Sequence, residues 1–233
     1  ERQRAYPQGA LAQSVVGTVN VDSVGLEGIE LWKNENLKGQ SPSIPSIRDA
    51  RGMAALFDSS AASGIKKGDP VKLTLDVPLQ FAVEKELKAT VERTQSQAGV
   101  AVVMNAVTGE ILAMANHQAH AGAGKQRNRF VTDGWEPGST LKPLLLATAL
   151  ANGWKLGDRV WGERGKFRIG GRTISEAETH ETFEWLSLKE MVRVSSNIGA
   201  AKLALRLGAD RYGRGLTKLG FGTKTQLGFP GEI

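Results

Sequence analysis

Ser139 and Lys142 stand three residues apart in Trp135-Glu136-Pro137-Gly138-Ser139-Thr140-Leu141-Lys142-Pro143, and residues of these types at this spacing suit acyl transfer through a serine. A serine hydroxyl is a poor nucleophile near neutral pH and needs a base within hydrogen-bond reach. A helix supplies that reach, because side chains at i and i+3 share a face. The base would be the lysine amine. Set against the apolar run Leu144-Leu145-Leu146-Ala147, the amine loses solvent, its pKa falls, and the neutral form becomes available. Ser195 and Asn197 form a second pair of useful types. A hydroxyl that relays a proton and a carboxamide that holds a peptide substrate are what acyl transfer needs beside a serine and a lysine. Each motif also has a plainer meaning: S-x-x-K describes a capped helix start with a solvated lysine, and S-x-N a helix cap or a tight turn.

Elements must hold these four residues. Pro137-Gly138 turns the chain ahead of Ser139. Pro143 has no N–H and is tolerated in a helix only in the first turn, so Lys142 lies near a helix start and Ser139 at the positive end of the helix dipole. The apolar and small residues through Leu150 predict a helix buried along its length. Residues 186–194 predict a helix with Ser187 as its cap. Ser195-Ser196-Asn197 interrupts it, and residues 198–207 resume a helix that ends at Gly208. Residues 210–218, closed by Gly220, predict one more, and Gly162, Gly165, Gly170 and Gly171 punctuate a hairpin around 167–174.

Upstream, residues 1–66 hold short apolar runs such as 11–21, broken by Gly, Pro, Ser and Asn. That pattern predicts small strands and turns with little helix. Gln40-Ser41-Pro42-Ser43-Ile44-Pro45-Ser46 and residues 58–63 are loop material. A turn at 65–70 marks a domain boundary ahead of an alternating strand, Val71-Lys72-Leu73-Thr74-Leu75. Pro78 opens a helix over 78–97, in which Leu79, Val83, Leu87 and Val91 recur at four-residue spacing. A hairpin follows, with strands at 100–104 and 111–114 around the turn pair Thr108-Gly109. Residues 117–128 form a polar loop before the serine. The order describes a β-rich segment, 1–66, and an α+β domain with an antiparallel sheet, 67–233.

Composition narrows the partners. The chain has 233 residues, 40% hydrophobic and 23% charged, and a formal net charge of +6. That charge suits a nucleic acid, an anionic membrane surface or an acidic polymer. Nucleic acid is disfavoured, because the Lys and Arg residues are scattered and few aromatics interleave with them. The absence of cysteine excludes disulfides and thiolate metal sites. No apolar run approaches the roughly 18 to 20 residues of a membrane span. Glu1-Arg2-Gln3-Arg4 starts without a signal sequence, as expected of a piece of something longer. His117 and His120 lie in an Ala/Gly-rich loop distant from His180, which argues against a metal site. Gly122-Ala123-Gly124-Lys125 lacks the Ser or Thr of a phosphate loop. No cofactor is expected. Trp135 lines either a cleft or a core, and Glu136 suits a helix N-terminus better than a role as a catalytic acid.

The string from Glu136 to Pro143, followed by Ser195-Ser196-Asn197-Ile198-Gly199, resembles the first two motifs of the penicillin-binding proteins, whose sites combine S-x-x-K with S-x-N and K-T-G. Arg4-Ala5-Tyr6-Pro7, Gly17-Thr18-Val19-Asn20-Val21-Asp22 and Gly25-Leu26-Glu27-Gly28-Ile29-Glu30 resemble the pedestal of class B members. Thr108-Gly109-Glu110-Ile111-Leu112-Ala113-Met114-Ala115-Asn116 resembles their hairpin, and Arg127-Asn128-Arg129 with Asp133 resembles their approach to the serine. The likeness is greatest to the division-specific septal type. It implies an α+β fold like that of penicillin-binding proteins and serine β-lactamases, with residues 1–66 as pedestal.

The implied activity is a peptidoglycan D,D-transpeptidase that cross-links stem peptides. Ser139 would be the nucleophile, Lys142 the base, Ser195 a proton relay, and Asn197 the group holding the donor's amide. Implied partners are D-Ala-D-Ala stem peptides, β-lactams, a membrane glycosyltransferase, and division or elongation proteins. The implied location is the periplasmic face of the inner membrane, anchored by an N-terminal helix that this sequence lacks. One departure stands out. Lys224-Thr225-Gln226 lacks the glycine of K-T-G and lies in a stretch, 221–232, that resembles a segment upstream of the true motif. The third motif is expected beyond Ile233, which puts the activity of these residues by themselves in question. Two rival readings fit the same motifs: a serine β-lactamase or β-lactam sensor, which needs no pedestal, and a non-catalytic scaffold of a cell-wall synthesis complex.

Overall fold

Two units divide the chain, Glu1–Gly134 with Gln226–Ile233, and Trp135–Thr225. The computed structural model describes residues 5–39, 47–48, 54–56, 66–119, 128–178, 180, 182–225 and 227–232. The features noted at Arg4, 40–46, 58–63, His120, 122–125 and Arg127 lie outside the described residues.

In the first unit the expected small strands of residues 5–39 are instead three short helices, α1 (Gln13–Val16), α2 (Gly28–Trp32) and α3 (Asn34–Leu37), with one isolated bridge, Val19 to Gly25. The reason lies in which residues are buried. Ala12, Val15 and Ile29 join a core with Met114, Val131 and Phe229, and the three-residue step from Ala12 to Val15 is helical rather than alternating. Gly28 has φ +59° and sits so near α1 that a Cβ there would lie 2.3 Å from the Val15 carbonyl oxygen. A short antiparallel pair, β1 (Ile47–Arg48) and β2 (Ala54–Leu56), follows.

Residues 71–75 alternate as expected, with Val71, Leu73 and Leu75 turned toward that core and Lys72 and Thr74 exposed, yet they form no strand ladder. Among the described residues the Thr74 hydroxyl, donating to Ile111 O at 2.5 Å, and Asp76 N–H, donating to Leu112 O at 2.9 Å, tie the segment to its neighbour. Asp76 then caps α4 (Val77–Thr94) by accepting from Leu79 N–H at 2.8 Å, and Pro78 occupies the first turn, where its missing N–H costs nothing. The hairpin is β3 (Ala98–Met104) with β4 (Ile111–Gln118), antiparallel, with Val102 opposite Met114. Its turn needs Gly109 at φ +76°. The buried Gln80 carboxamide exchanges two hydrogen bonds with the Met114 backbone, at 2.9 and 2.8 Å, and so fastens α4 to β4. α5 (Arg129–Thr132) completes the unit.

The second unit starts with a 3-10 turn, Gly138–Thr140, that runs into α6 (Leu141–Ala151). β5 (Arg159–Trp161) pairs antiparallel with β8 (Trp185–Ser187), and β6 (Lys166–Ile169) with β7 (Arg172–Ser175) around Gly170 and Gly171, both at positive φ. Ser187 and Glu190 form a reciprocal capping box at the start of α7 (Leu188–Arg193). α8 (Asn197–Leu207) and α9 (Ala209–Lys218) follow. Leu145, Ala149, Val160, Leu188, Met191, Leu203 and Leu207 make the core. α6 is buried on one face only: Leu145, Thr148 and Ala149 are inside, while Pro143, Ala147 and Leu150 are exposed. An apolar run predicts burial all round, but within this unit α7, α8 and α9 cover a single stripe of it.

Gly199 fixes the distance between α8 and α7. A Cβ there would stand 2.7 Å from Met191 Cγ and 3.1 Å from Ser196 Oγ. Gly199→Ala is therefore expected to destabilise the fold by about 1–3 kcal/mol through overpacking, measured as a lower urea midpoint with an unchanged slope.

Candidate active site

Ser139 owes its place to backbone geometry. Gly138 at φ +55° turns the chain where a side chain would be strained, and Thr140 N–H donates to Pro137 O at 3.3 Å to close the turn. Ser139 thus stands in a 3-10 turn just ahead of α6 rather than within the helix. Tight 3-10 winding brings i and i+3 nearly into line. Ser139 is exposed, and its hydroxyl makes no hydrogen bond among the described residues.

Ser195 and Asn197 are brought in by the junction of α7 and α8. Ser195 has φ +55°, a left-handed conformation that costs a serine about 1–2 kcal/mol and persists only where neighbours over-determine it. Ser195 N–H donates to Val192 O at 3.1 Å, and Ser196 N–H to Met191 O at 2.9 Å. Ser196 is wholly buried and caps α8, its Oγ accepting from Gly199 N–H at 2.9 Å. Asn197 is the first residue of α8.

The Lys142 amine reaches across to this junction. It donates to the Ser195 carbonyl oxygen, to Ser195 Oγ at 3.0 Å and to Asn197 Oδ1 at 2.7 Å, which occupies the three donors of an ammonium. Its pKa is lowered, chiefly because burial strips solvent from the charged form; the nearby Glu176 carboxylate acts in the opposite direction. Asn197 Nδ2 donates to Ser175 O at 3.0 Å. With Oδ1 accepting from lysine and Nδ2 giving to a carbonyl, the carboxamide has one orientation. Its second amide hydrogen has no partner among the described residues.

Hydrogen bonds therefore unite Lys142, Ser195 and Asn197, and Ser139 adjoins them through the chain without being bonded to the amine. A serine, a partly desolvated amine, a second hydroxyl and a fixed carboxamide are the parts for proton transfer and peptide recognition in acyl transfer. Trp135 is 49% exposed, so it is not a core residue of its unit. Glu176 belongs to no motif in the sequence. It follows β7 directly, is 7% exposed, and accepts from Ser196 Oγ at 2.7 Å and from Asn197 N–H at 2.6 Å. Its position just after the Gly170-Gly171 hairpin was the one available signal, and a weak one.

The family model of the penicillin binding protein transpeptidase domain matches residues 99–233. The probable peptidoglycan D,D-transpeptidase PenA of Neisseria meningitidis is 35% identical over 241 residues, covering 100% of this chain and 41% of that protein. The peptidoglycan D,D-transpeptidase FtsI of Escherichia coli is 34% identical over 239 residues, covering 100% of this chain and 40% of its own length. Among solved structures, apo penicillin binding protein 3 from Mycobacterium tuberculosis superposes with TM-score 0.79 at 30% identity, over 99% of this chain and 50% of that one. The same protein complexed with ampicillin gives 0.78 over 99% and 49%. The chain spans about two fifths of the length of the curated relatives it matches.

Proposed function

The chain belongs to the penicillin-binding protein transpeptidase family, and on that basis we propose that the whole protein is a serine D,D-transpeptidase that cross-links peptidoglycan stem peptides, at cell division. The observation that carries the reading is the Lys142 amine, held by Ser195 and Asn197 with its pKa lowered by burial, three residues after Ser139. The neutral amine takes the Ser139 proton as the serine oxygen attacks the D-Ala-D-Ala carbonyl carbon. The Ser139 backbone N–H is one donor to the oxyanion. Collapse of the tetrahedral intermediate breaks the C–N bond. The proton passes through Ser195 Oγ to the leaving amine, and D-alanine departs from an ester on Ser139. The amine of a neighbouring stem peptide then attacks that ester and returns the serine. Asn197 directs its spare amide hydrogen to a carbonyl of the acyl donor.

A β-lactam would acylate the same serine; the Mycobacterium tuberculosis protein has been crystallised with ampicillin and with aztreonam. No K-T-G or K-S-G occurs in residues 1–233, so the remaining oxyanion donors and the carboxylate-binding wall are assigned to sequence outside them. Residues 1–66 serve as the pedestal and 67–233 as the first part of the transpeptidase domain. Among the described residues no helix is long and apolar enough to cross a membrane; the proposed anchor on the periplasmic face of the inner membrane belongs to another part of the protein. A membrane glycosyltransferase and division proteins complete the proposed partners.

Incubation of the whole protein with a fluorescent penicillin, followed by intact-mass and peptide mass spectrometry, tests the reading. A stable adduct of the added antibiotic's mass on the peptide containing Ser139 is expected. Rapid release of hydrolysed penicillin would instead make the protein a β-lactamase, and no adduct at all would favour a scaffold.

A further inference from the structure

The Ser195 to Asn197 junction is held by two residues that do no chemistry in the proposed reaction. Ser175 O accepts from the Asn197 side chain, and the Glu176 carboxylate accepts from Ser196 Oγ at 2.7 Å and from Asn197 N–H at 2.6 Å. The Ser196 oxygen already accepts from Gly199 N–H, so its hydroxyl hydrogen is the group left to donate. Two donors therefore converge on Glu176, one at each oxygen. A carboxylate satisfies both; a carboxamide accepts at one oxygen and turns an N–H toward the other donor. Glu176 is 7% exposed and has no ion-pair partner within bonding range among the described residues. A charge so placed is costly unless its hydrogen bonds are complete, and here they bear on the left-handed turn at Ser195.

We propose that Glu176 is a positioning residue for the acyl transfer: through Ser196 and Asn197 it holds the left-handed Ser195 turn so that Ser195 Oγ and Asn197 Oδ1 meet the Lys142 amine. The proposal rests on the transpeptidase reading of that site. Glu176 is also the charged group acting on Lys142 among the described residues, and its negative charge favours the ammonium. Glu176→Gln thus has two separable effects. The turn loosens, which slows acylation, and the amine becomes neutral at lower pH, which moves the acid limb of the rate profile down. A purely structural role would not move that limb.

The test measures penicillin acylation of the whole protein against pH, split into initial binding and the acylation step, for wild type, E176Q and E176D, with cooperative unfolding as a control. E176Q is expected to slow the acylation step about tenfold to a hundredfold and to shift its acid limb to lower pH. E176D keeps the charge, so it should recover part of the rate with the limb near its wild-type position; it also serves if E176Q fails to fold. Wild-type rates in E176Q, or a loss that follows the unfolded fraction with an unmoved limb, would overturn the proposal. If the wild type forms no adduct at Ser139, the transpeptidase reading fails by itself. Whether Glu176 holds the turn is then decided by the crystal structure of E176Q: a Ser195 that leaves its left-handed conformation upholds the assignment, and an unchanged turn removes it.

Discussion

Ser139→Ala is expected to abolish covalent labelling of the whole protein by a fluorescent penicillin while leaving its unfolding transition where it was. The two halves follow from one observation. Ser139 is exposed and its hydroxyl has no hydrogen bond among the described residues, so its removal breaks no folding contact and should change stability by no more than about 0.5 kcal/mol. Chemically the change is total, because without the oxygen no ester forms; loss of a serine nucleophile costs on the order of a millionfold in turnover. Ser195→Ala gives the contrast. Ser195 Oγ bonds the Lys142 amine at 3.0 Å, and as a relay its loss should slow labelling by about 10²- to 10⁴-fold without erasing it. Labelling of Ser139→Ala at the wild-type rate would move the nucleophile elsewhere, and erasure by Ser195→Ala with labelling kept in Ser139→Ala would name Ser195.

Local spacing announced the reacting groups but not what steadies them. Ser139, Lys142, Ser195 and Asn197 stand out because their types recur at short intervals, and three of the four are joined by hydrogen bonds. Glu176 meets Ser196 from twenty residues upstream, a pairing created by the path of β7 past α8 and absent from any local pattern. The left-handed Ser195 was likewise hidden, since serine has no preference for positive φ and the conformation is imposed by the helix junction. In the first unit, alternation at 71–75 reported correctly which side chains face inward. It did not report a ladder, which also requires a neighbour with matching free N–H and C=O groups. The run after Lys142 overstated burial for a related reason: composition states how much apolar surface a helix has, not how many elements are available to cover it.

Lys142→Arg and Lys142→Met are expected to slow acylation by similar factors, about 10²- to 10⁴-fold, and the similarity is the informative part. Arginine keeps a cation and several donors near Ser195 and Asn197 but holds its proton at any working pH. Methionine removes charge and donors together. If the lysine acted mainly as a fixed positive charge, arginine would retain most of the rate; if it must accept the Ser139 proton, both changes fail alike. The pH profile separates the roles again. Wild-type acylation should rise with pH as the ammonium loses its proton, and because burial lowers that pKa against the weaker opposing pull of Glu176, the midpoint of the rise should lie below the value of about 10.4 for an exposed lysine. Linkage has the same sign. Between the depressed folded pKa and the ordinary unfolded one, the unfolded chain binds a proton that the native chain does not, so this group's contribution to stability grows with pH across that window and is constant below it. Lys142→Met should flatten both the acid limb and that stability increment. An arginine variant that acylates at the wild-type rate with the wild-type limb would remove Lys142 from the role of base.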